Sequence, residues 1–344
     1  MKALVCHKDG NIELVEKEIP HIRDSRDAVI KVTMASICTS DLHIMHGAVP
    51  RAIPETVLGH EYVGAVVELG DSVKNLKIGD RVSVNCITFC GECYFCKKGF
   101  INNCKNGGWE VGCRIDGGHA EYSRIPFADC SLSKIPDSVS DRSALFVGDI
   151  LASGYFGAEL CEIKQGDTIA VIGSGPVGMC AMECAKVLGA ERVIAVDINE
   201  KRLQVARDNK LADYFFNPEK CDVEKEIKKI TENRGADGVI EAAGGDNTFE
   251  IAWKIARPNS VVSVVAMYEK PQILPLPDMY GKNLIFKTGG VDAIHSDKIL
   301  KLIADGKIST DFLITHTFSL ENIVEAYKFF ENKEDNCLKI AIVP

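Results

Sequence analysis

Between residues 168 and 267 short apolar runs alternate with helical stretches, and this alternation constrains the fold more than any other feature of the sequence. Thr168-Ile169-Ala170-Val171-Ile172 reads as a buried strand. Gly173-Ser174-Gly175-Pro176-Val177-Gly178 follows, then a helix from Met179 to Leu188 that Gly189 stops, then a strand from Arg192 to Asp197. Helices over 200–209, 223–233 and 247–256 and strands over 213–216, 237–242 and 260–267 continue the pattern, with a far-edge strand over 283–287. Strand and helix taking turns in this way predict a parallel, doubly wound α/β sheet.

The glycine-rich turn sits between strand and helix, the setting a dinucleotide fingerprint requires. Gly173 permits the tight turn, Gly175 lets a pyrophosphate approach, and Gly178 lets helix and strand pack closely. The helix N-terminus then faces negative charge. Gly173, Gly175, Pro176, Val177 and Gly178 are the expected contacts. Asp197 ends the next strand, where a carboxylate accepts from ribose hydroxyls and repels a 2′-phosphate. That favours NAD over NADP, although Lys201 and Arg202 are near enough to tolerate a phosphate. The bland alternative is that Asp197 only starts a turn.

Residues 1 to 150 read as β-rich. Strands are expected over 29–34, 62–69 and 80–84, separated by glycine and proline, which suggests a small, partly open barrel. Beyond the α/β region come helices over 296–304 and 320–330, the latter with Ser319 as its N-cap. A strand over 338–343 closes the chain and is expected to pack back on the first domain. The expected division is therefore 1–150 with 291–344, and 151–290, in keeping with a length of 344 residues.

A net charge of −9 and a pI near 5.5 argue against nucleic acid or an anionic membrane as partner. No run is long enough to span a bilayer. The N-terminus carries no secretory pattern, so a cytoplasmic location is expected. Fourteen cysteines in that setting suggest metal binding rather than disulfides.

Four of those cysteines form Cys90-x2-Cys93-x2-Cys96-x7-Cys104. Four thiolates this close match a closed tetrahedral zinc site, which leaves no open position and is therefore structural. An iron–sulfur cluster also uses four cysteines, but nothing else in the sequence implies electron transfer.

A second group is richer chemically. Cys38-Thr39-Ser40-Asp41-Leu42-His43 and Gly59-His60-Glu61 offer a thiolate, two imidazoles and a hydroxyl within a short span. Alone, Cys38 and His60 would pass for a small buried hydrophobe and a polar core residue. A catalytic zinc wants three protein ligands and one open position. With Cys38 and His60 as two, the third is Glu61 or Asp149. Asp149 stands in the apolar run Phe146-Val147-Gly148-Asp149-Ile150, where a charge needs a partner and a metal is one. Ser40 and His43 are then candidates to carry a proton, against a plain reading as a turn hydroxyl and a surface imidazole.

On these pieces, together with Glu241-Ala242-Ala243-Gly244, the whole chain resembles the zinc-dependent medium-chain dehydrogenase/reductase family, the zinc alcohol dehydrogenases. The segment from Gly148 to Tyr155 is similar to that of the bacterial tetrameric branch with aspartate as third ligand. The Gly117 to Tyr122 stretch is similar to that of the formaldehyde-dehydrogenase branch. The resemblance implies a GroES-like catalytic domain and a Rossmann domain with the active site in the cleft between them. It also implies two zinc ions per chain, one catalytic on Cys38, His60 and Asp149 and one structural on the cysteine lobe. Glu61 would be a nearby supporting group or an alternate ligand, and Asp41 would orient its neighbours. NAD(H) would exchange hydride with a small alcohol or carbonyl compound, with Ser40 passing the alcohol proton through the cofactor ribose to His43. Ser153, Gly289 and Lys339 would lie along the cofactor, Lys339 being otherwise a solvated charge, and Trp109 would wall the pocket. Family members are usually dimers or tetramers. A polyol or amino-alcohol dehydrogenase on the same scaffold is the nearest competitor, and a non-enzymatic zinc module a distant one. Four departures are notable. Asp149 replaces the cysteine of animal enzymes, Asp197 replaces the glycine of the NADP-using bacterial branch, the Glu-Pro that polyol and threonine dehydrogenases carry near the third-ligand segment is missing, and Ser153 replaces a common threonine.

Overall fold

The computed structural model describes all 344 residues. They form two compact units, Met1–Ala152 with Asp292–Pro344, and Ser153–Val291.

The second unit is built on six strands, all parallel. In chain order they are Thr168–Ile172, Arg192–Val196, Tyr214–Phe216, Ala236–Glu241, Ala256–Val264 and Ile285–Thr288. They lie in the spatial order 3-2-1-4-5-6, the doubly wound dinucleotide-binding order. The apolar runs of the four central strands are buried on both faces, as parallel strands covered by helices must be, while the two edge strands are only half-buried. Strands one and four are neighbours but not consecutive, so the topology switches between them and opens a crevice at their carboxyl ends.

Local chemistry sets the connecting helices. Helix Pro176–Leu188 starts with proline in its first turn and ends at Gly189, whose φ of 116° is left-handed and whose N–H donates to the last-turn carbonyls. Asn199 caps Glu200–Asp208 by accepting from the N–H groups of Lys201 and Arg202. Asp222 caps Val223–Ile230 by accepting from Lys225. Each such cap contributes about 1 kcal/mol. The helix expected to reach 233 stops at Ile230, because Glu232 and Asn233 turn left-handed. The fifth strand begins at Ala256 rather than 260, since Pro258 and Asn259 hide its start.

The first unit carries a three-stranded sheet of Ile12–Glu16, Lys2–Cys6 and Thr56–Val57. It also carries a seven-stranded sheet in which Ala28–Ser36 pairs antiparallel with Glu61–Leu69, Tyr122–Ile125 and the closing strand Lys339–Val343. One core cluster joins these strands to the C-terminal segment through Leu320, Ile323, Ala326 and Tyr327. The expected cap Ser319 makes no capping bond. Its hydroxyl accepts from Asn322 instead, and a 3-10 turn, Leu320–Asn322, precedes helix Ile323–Glu331. Helix Ile150–Leu160 has no counterpart among the sequence expectations. It is buried on nearly every side, so no apolar stripe marks it.

Candidate metal centres and cofactor crevice

The cysteine lobe is held by short local turns: helix Tyr94–Lys97, which follows Cys93, and a 3-10 turn, Ile101–Asn103, which ends at Cys104. The thiol sulfurs of Cys90 and Cys104 are 3.6 Å apart, Cys93 and Cys96 3.5 Å, and Cys90 and Cys96 4.0 Å. None is bonded as a disulfide. Four sulfurs each about 2.3 Å from one zinc would stand about 3.8 Å apart, so the spacing fits that ion. Backbone N–H groups point at the sulfurs, with Cys90 N–H and Asn106 N–H donating to Cys104 at 3.3 and 3.4 Å. Such donors hold Cys93 down at about 6, while burial pushes Cys96 up to about 12.

The second cluster is assembled from distant stretches. Cys38 precedes helix Thr39–Met45, His60 and Glu61 lie at the start of strand Glu61–Leu69, and Asp149 precedes helix Ile150–Leu160. One ligand atom from each of Cys38, His60, Glu61 and Asp149 falls within 4.8 Å of every other. His60 Nε2 is 3.2 Å from Asp149 Oδ2, and Cys38 Sγ is 3.9 Å from the same oxygen.

Asp41 sets this arrangement. Fully buried, it accepts from the Cys38 backbone N–H at 2.9 Å with one oxygen and sits 3.1 Å from His60 Nδ1 with the other. A carboxylate on Nδ1 keeps a ring proton there, so Nε2, which faces Cys38 and Asp149, is the nitrogen that a metal would take in place of a proton. Burial opposes a charge on His60, yet Asp41, Cys38 and Asp149 together hold it well above its usual value. Burial pushes Glu61 up to about 8. Burial also opposes ionisation of Asp149, but His60 holds it well below the usual carboxylate range.

Lys339 is 2% exposed and is not the solvated charge that its place on a terminal strand suggests. Its ammonium pairs with Glu61 and donates to the Ile37 carbonyl at 2.9 Å. Removing either partner of such a pair costs about 3–5 kcal/mol. A Cys38 thiolate, a neutral His60 and an Asp149 carboxylate would balance the two charges of a zinc ion, and neither Glu61 oxygen accepts a well-formed hydrogen bond. Divalent zinc matches both the charge and the mixed sulfur, nitrogen and oxygen donor set.

Ser40 and His43 share one face of helix Thr39–Met45, three positions apart and both half-buried. Ser40 Oγ lies 3.8 Å from Cys38 Sγ. Trp109 stands edge-on to the His60 ring, centroids 5.5 Å apart. Arg51 holds it in place, donating to its carbonyl at 2.7 Å with the guanidinium over the indole.

Sequence reasoning missed three neighbours of this centre. Cys86 Sγ lies 3.5 Å from Asp149 Oδ1. His119 bonds the Ser36 carbonyl through Nε2 and the Tyr327 hydroxyl through Nδ1. None has a spacing signal, because each comes from a distant part of the chain. Only the pairing of His119 with two glycines before it set that stretch apart.

In the second unit, Gly173, Asp197, Ala243, Gly244 and Gly289 all lie beyond the carboxyl ends of strands. A Cβ on Gly178 would stand 1.8 Å from the Gly173 carbonyl oxygen, so helix and turn touch there as the fingerprint requires. A Cβ on Gly175 would meet only the Arg202 guanidinium, at 3.8 Å, which leaves space over the helix start opening at Pro176 and Val177. Asp197 accepts from Ser174 N–H at 2.6 Å and from Asn199 N–H at 2.7 Å, tying the glycine turn to the second strand. Glu241 closes the loop after the fourth strand, accepting from the Ala243 and Gly244 N–H groups. Ser153 lies half-buried in the first turns of helix Ile150–Leu160. Lys339 belongs to the other unit, under Glu61.

Residues 24–137 match the alcohol dehydrogenase GroES-like domain, and residues 176–291 match the zinc-binding dehydrogenase family. An alcohol dehydrogenase of Cupriavidus necator is 36% identical over all of this chain and 99% of its own. Alcohol dehydrogenase TADH from Thermus sp. ATN1 superimposes with a TM-score of 0.93 at 34% identity, covering 100% of this chain and 99% of that one. A short chain alcohol dehydrogenase from E. coli CFT073, solved with its cofactor NADH, gives a TM-score of 0.91 at 27% identity, again over 100% and 99%.

Proposed function

The chain belongs to the zinc-dependent alcohol dehydrogenases of the medium-chain dehydrogenase/reductase family, and we propose that it exchanges hydride between NAD(H) and a small primary or secondary alcohol, or the matching aldehyde or ketone. The observation that carries this reading is the convergence of Cys38, His60, Glu61 and Asp149 within 4.8 Å of one another. Cys38, His60 and Asp149 hold the catalytic zinc. Bound there, zinc supplies a Lewis acid that polarises an alcohol or carbonyl oxygen. Asp41 keeps His60 in the ligating tautomer and anchors the backbone at Cys38. Ser40 accepts the proton that the substrate hydroxyl loses, and His43, one turn along the same face, hands it to solvent. Trp109 walls the pocket beside His60 and Arg51 keeps it upright. Lys339 pairs with Glu61 and makes it a supporting group beside the metal. The cysteine lobe holds the second, structural zinc.

Gly173 to Gly178 receive the pyrophosphate at the start of helix Pro176–Leu188, and Ser153 and Gly289 flank the nicotinamide half. Asp197 faces the ribose, favouring NAD. Arg202, over the same turn, is the group that would admit a 2′-phosphate.

A panel of alcohols, aldehydes and ketones assayed with NAD(H) and NADP(H), beside metal analysis, tests this. Expected are two zinc per chain, turnover of simple alcohols, and preference for NAD. Asp197→Gly should move the NAD/NADP ratio toward NADP by about tenfold to a hundredfold, the worth of a charge-assisted hydrogen bond. A zinc-loaded protein that turns over no alcohol or carbonyl compound would sink the reading.

A further inference from the structure

The three ligands of the catalytic centre are not held alike. Asp41 restrains two of them, through the His60 ring and the Cys38 backbone. It does not reach Asp149. A carboxylate is also the least constrained ligand of the three, because it can rotate and bind through one oxygen or both.

The structure shows what restrains it. Asp149 Oδ2 points toward His60 Nε2 at 3.2 Å and Cys38 Sγ at 3.9 Å, while Oδ1 points the other way, to Cys86 Sγ at 3.5 Å. Cys86 is 2% exposed. Its backbone N–H donates to the Gly148 carbonyl at 3.0 Å, so the two segments are joined beside the side-chain contact. Gly148 packs directly on the neighbouring strand, where a Cβ would stand 1.8 Å from the Val84 carbonyl oxygen. Asn85 sets the approach of Cys86: its side-chain oxygen accepts from Ile87 N–H at 2.9 Å and its amide donates to the Ala293 carbonyl at 3.2 Å. An ordinary buried cysteine needs no such brace.

We propose that Cys86 is a positioning residue for the catalytic zinc: its thiol donates to Asp149 Oδ1 and leaves Oδ2 alone to face the metal. The inference rests on the assignment of Asp149 as third ligand. It assigns Cys86 no bond to the metal and no contact with substrate. Partners of metal ligands in this position typically change metal affinity by about 10–100-fold when removed.

The test measures zinc release from the holoenzyme to a chromogenic chelator, which resolves the catalytic from the structural ion, together with the visible spectrum of the enzyme carrying cobalt in the catalytic site. Cys86→Ala should speed loss of the catalytic zinc about 10–100-fold, leave release from the cysteine lobe unchanged, and weaken the cobalt bands as the carboxylate swings to bind through both oxygens. Cys86→Val fills the space without a donor and should behave like Cys86→Ala. Cys86→Ser restores a donor and should return to within about threefold of the parent. Equal release from all four proteins, with unchanged cobalt spectra, would overturn the inference, and so would a Ser variant as fast as Ala. Asp149→Asn separates the two levels. If it retains catalytic zinc at the parent rate, the ligand assignment fails. If it loses the ion while Cys86→Ala does not, only the role of Cys86 fails.

Discussion

The four cysteines at 90–104 and the quartet of Cys38, His60, Glu61 and Asp149 are each tight enough to hold one ion, and they are built by opposite means. The lobe draws every ligand from fifteen consecutive residues and braces them with backbone N–H groups. The quartet spans residues 38 to 149 and is braced by side chains: Asp41 behind His60, Lys339 against Glu61, Cys86 against Asp149. A closed thiolate set needs only geometry, which turns can supply. An open site must keep mixed ligands in place while one position stays free, and that takes groups from several strands.

The largest expected effect breaks one region and spares the other. Cys38→Ala should cut turnover by more than about 10³-fold, beyond the loss from one electrostatic donor in an active site. Zinc should fall from two to one per chain, with the fold and NADH binding intact. Activity within tenfold of the parent would mean that the quartet is not the catalytic centre.

The reverse experiment is Cys104→Ser. It should also remove one zinc, yet its effect belongs to stability. Structural zinc contributes its binding energy to folding, so the melting temperature should fall by about 10 °C or more. The surviving enzyme, assayed in the cold, should keep a kcat within about threefold of the parent. Unchanged melting with lost turnover would reverse the roles assigned to the two regions.

The same contrast explains what could be read in the sequence. The lobe is legible because all its information is local, and so is the α/β unit, where alternation and the glycine turn are short-range signals. Of the quartet, Cys38, His60 and Asp149 stood out only in company. Their supports did not: Cys86, His119 and Tyr327 look like ordinary core residues until strands bring them together. Lys339 misleads as a charge on a terminal strand, because its partner Glu61 lies far back in the chain. Helix Ile150–Leu160 escaped because burial on nearly every side erases the helical period.

The smallest effect sharpens the comparison through pH. The open site rests on a buried imidazole, and the lobe rests on none. His119 is fully buried between the Ser36 carbonyl and the Tyr327 hydroxyl. Burial lowers its pKa from the usual 6.5, with His60 and Lys339 acting in the same direction and Asp41 and the Ser36 carbonyl opposing. The folded protein therefore keeps His119 neutral where the unfolded chain would already protonate it. Its contribution is fully present above the unfolded value near 6.5 and is lost as pH falls toward the folded value. Replacing it by asparagine should cost about 1–3 kcal/mol at pH 8, the range for a buried hydrogen-bonding group left unpaired. That cost should shrink as pH falls from 6.5 toward 5, because the parent loses stability there and the variant does not. Urea midpoints of both proteins, zinc-loaded, at pH 8 and pH 5.5 measure the difference, and the loss of metal common to both cancels from it. A cost that is equal at the two pH values would show that His119 does not titrate with folding, and that the catalytic centre is no more acid-sensitive through it than the cysteine lobe.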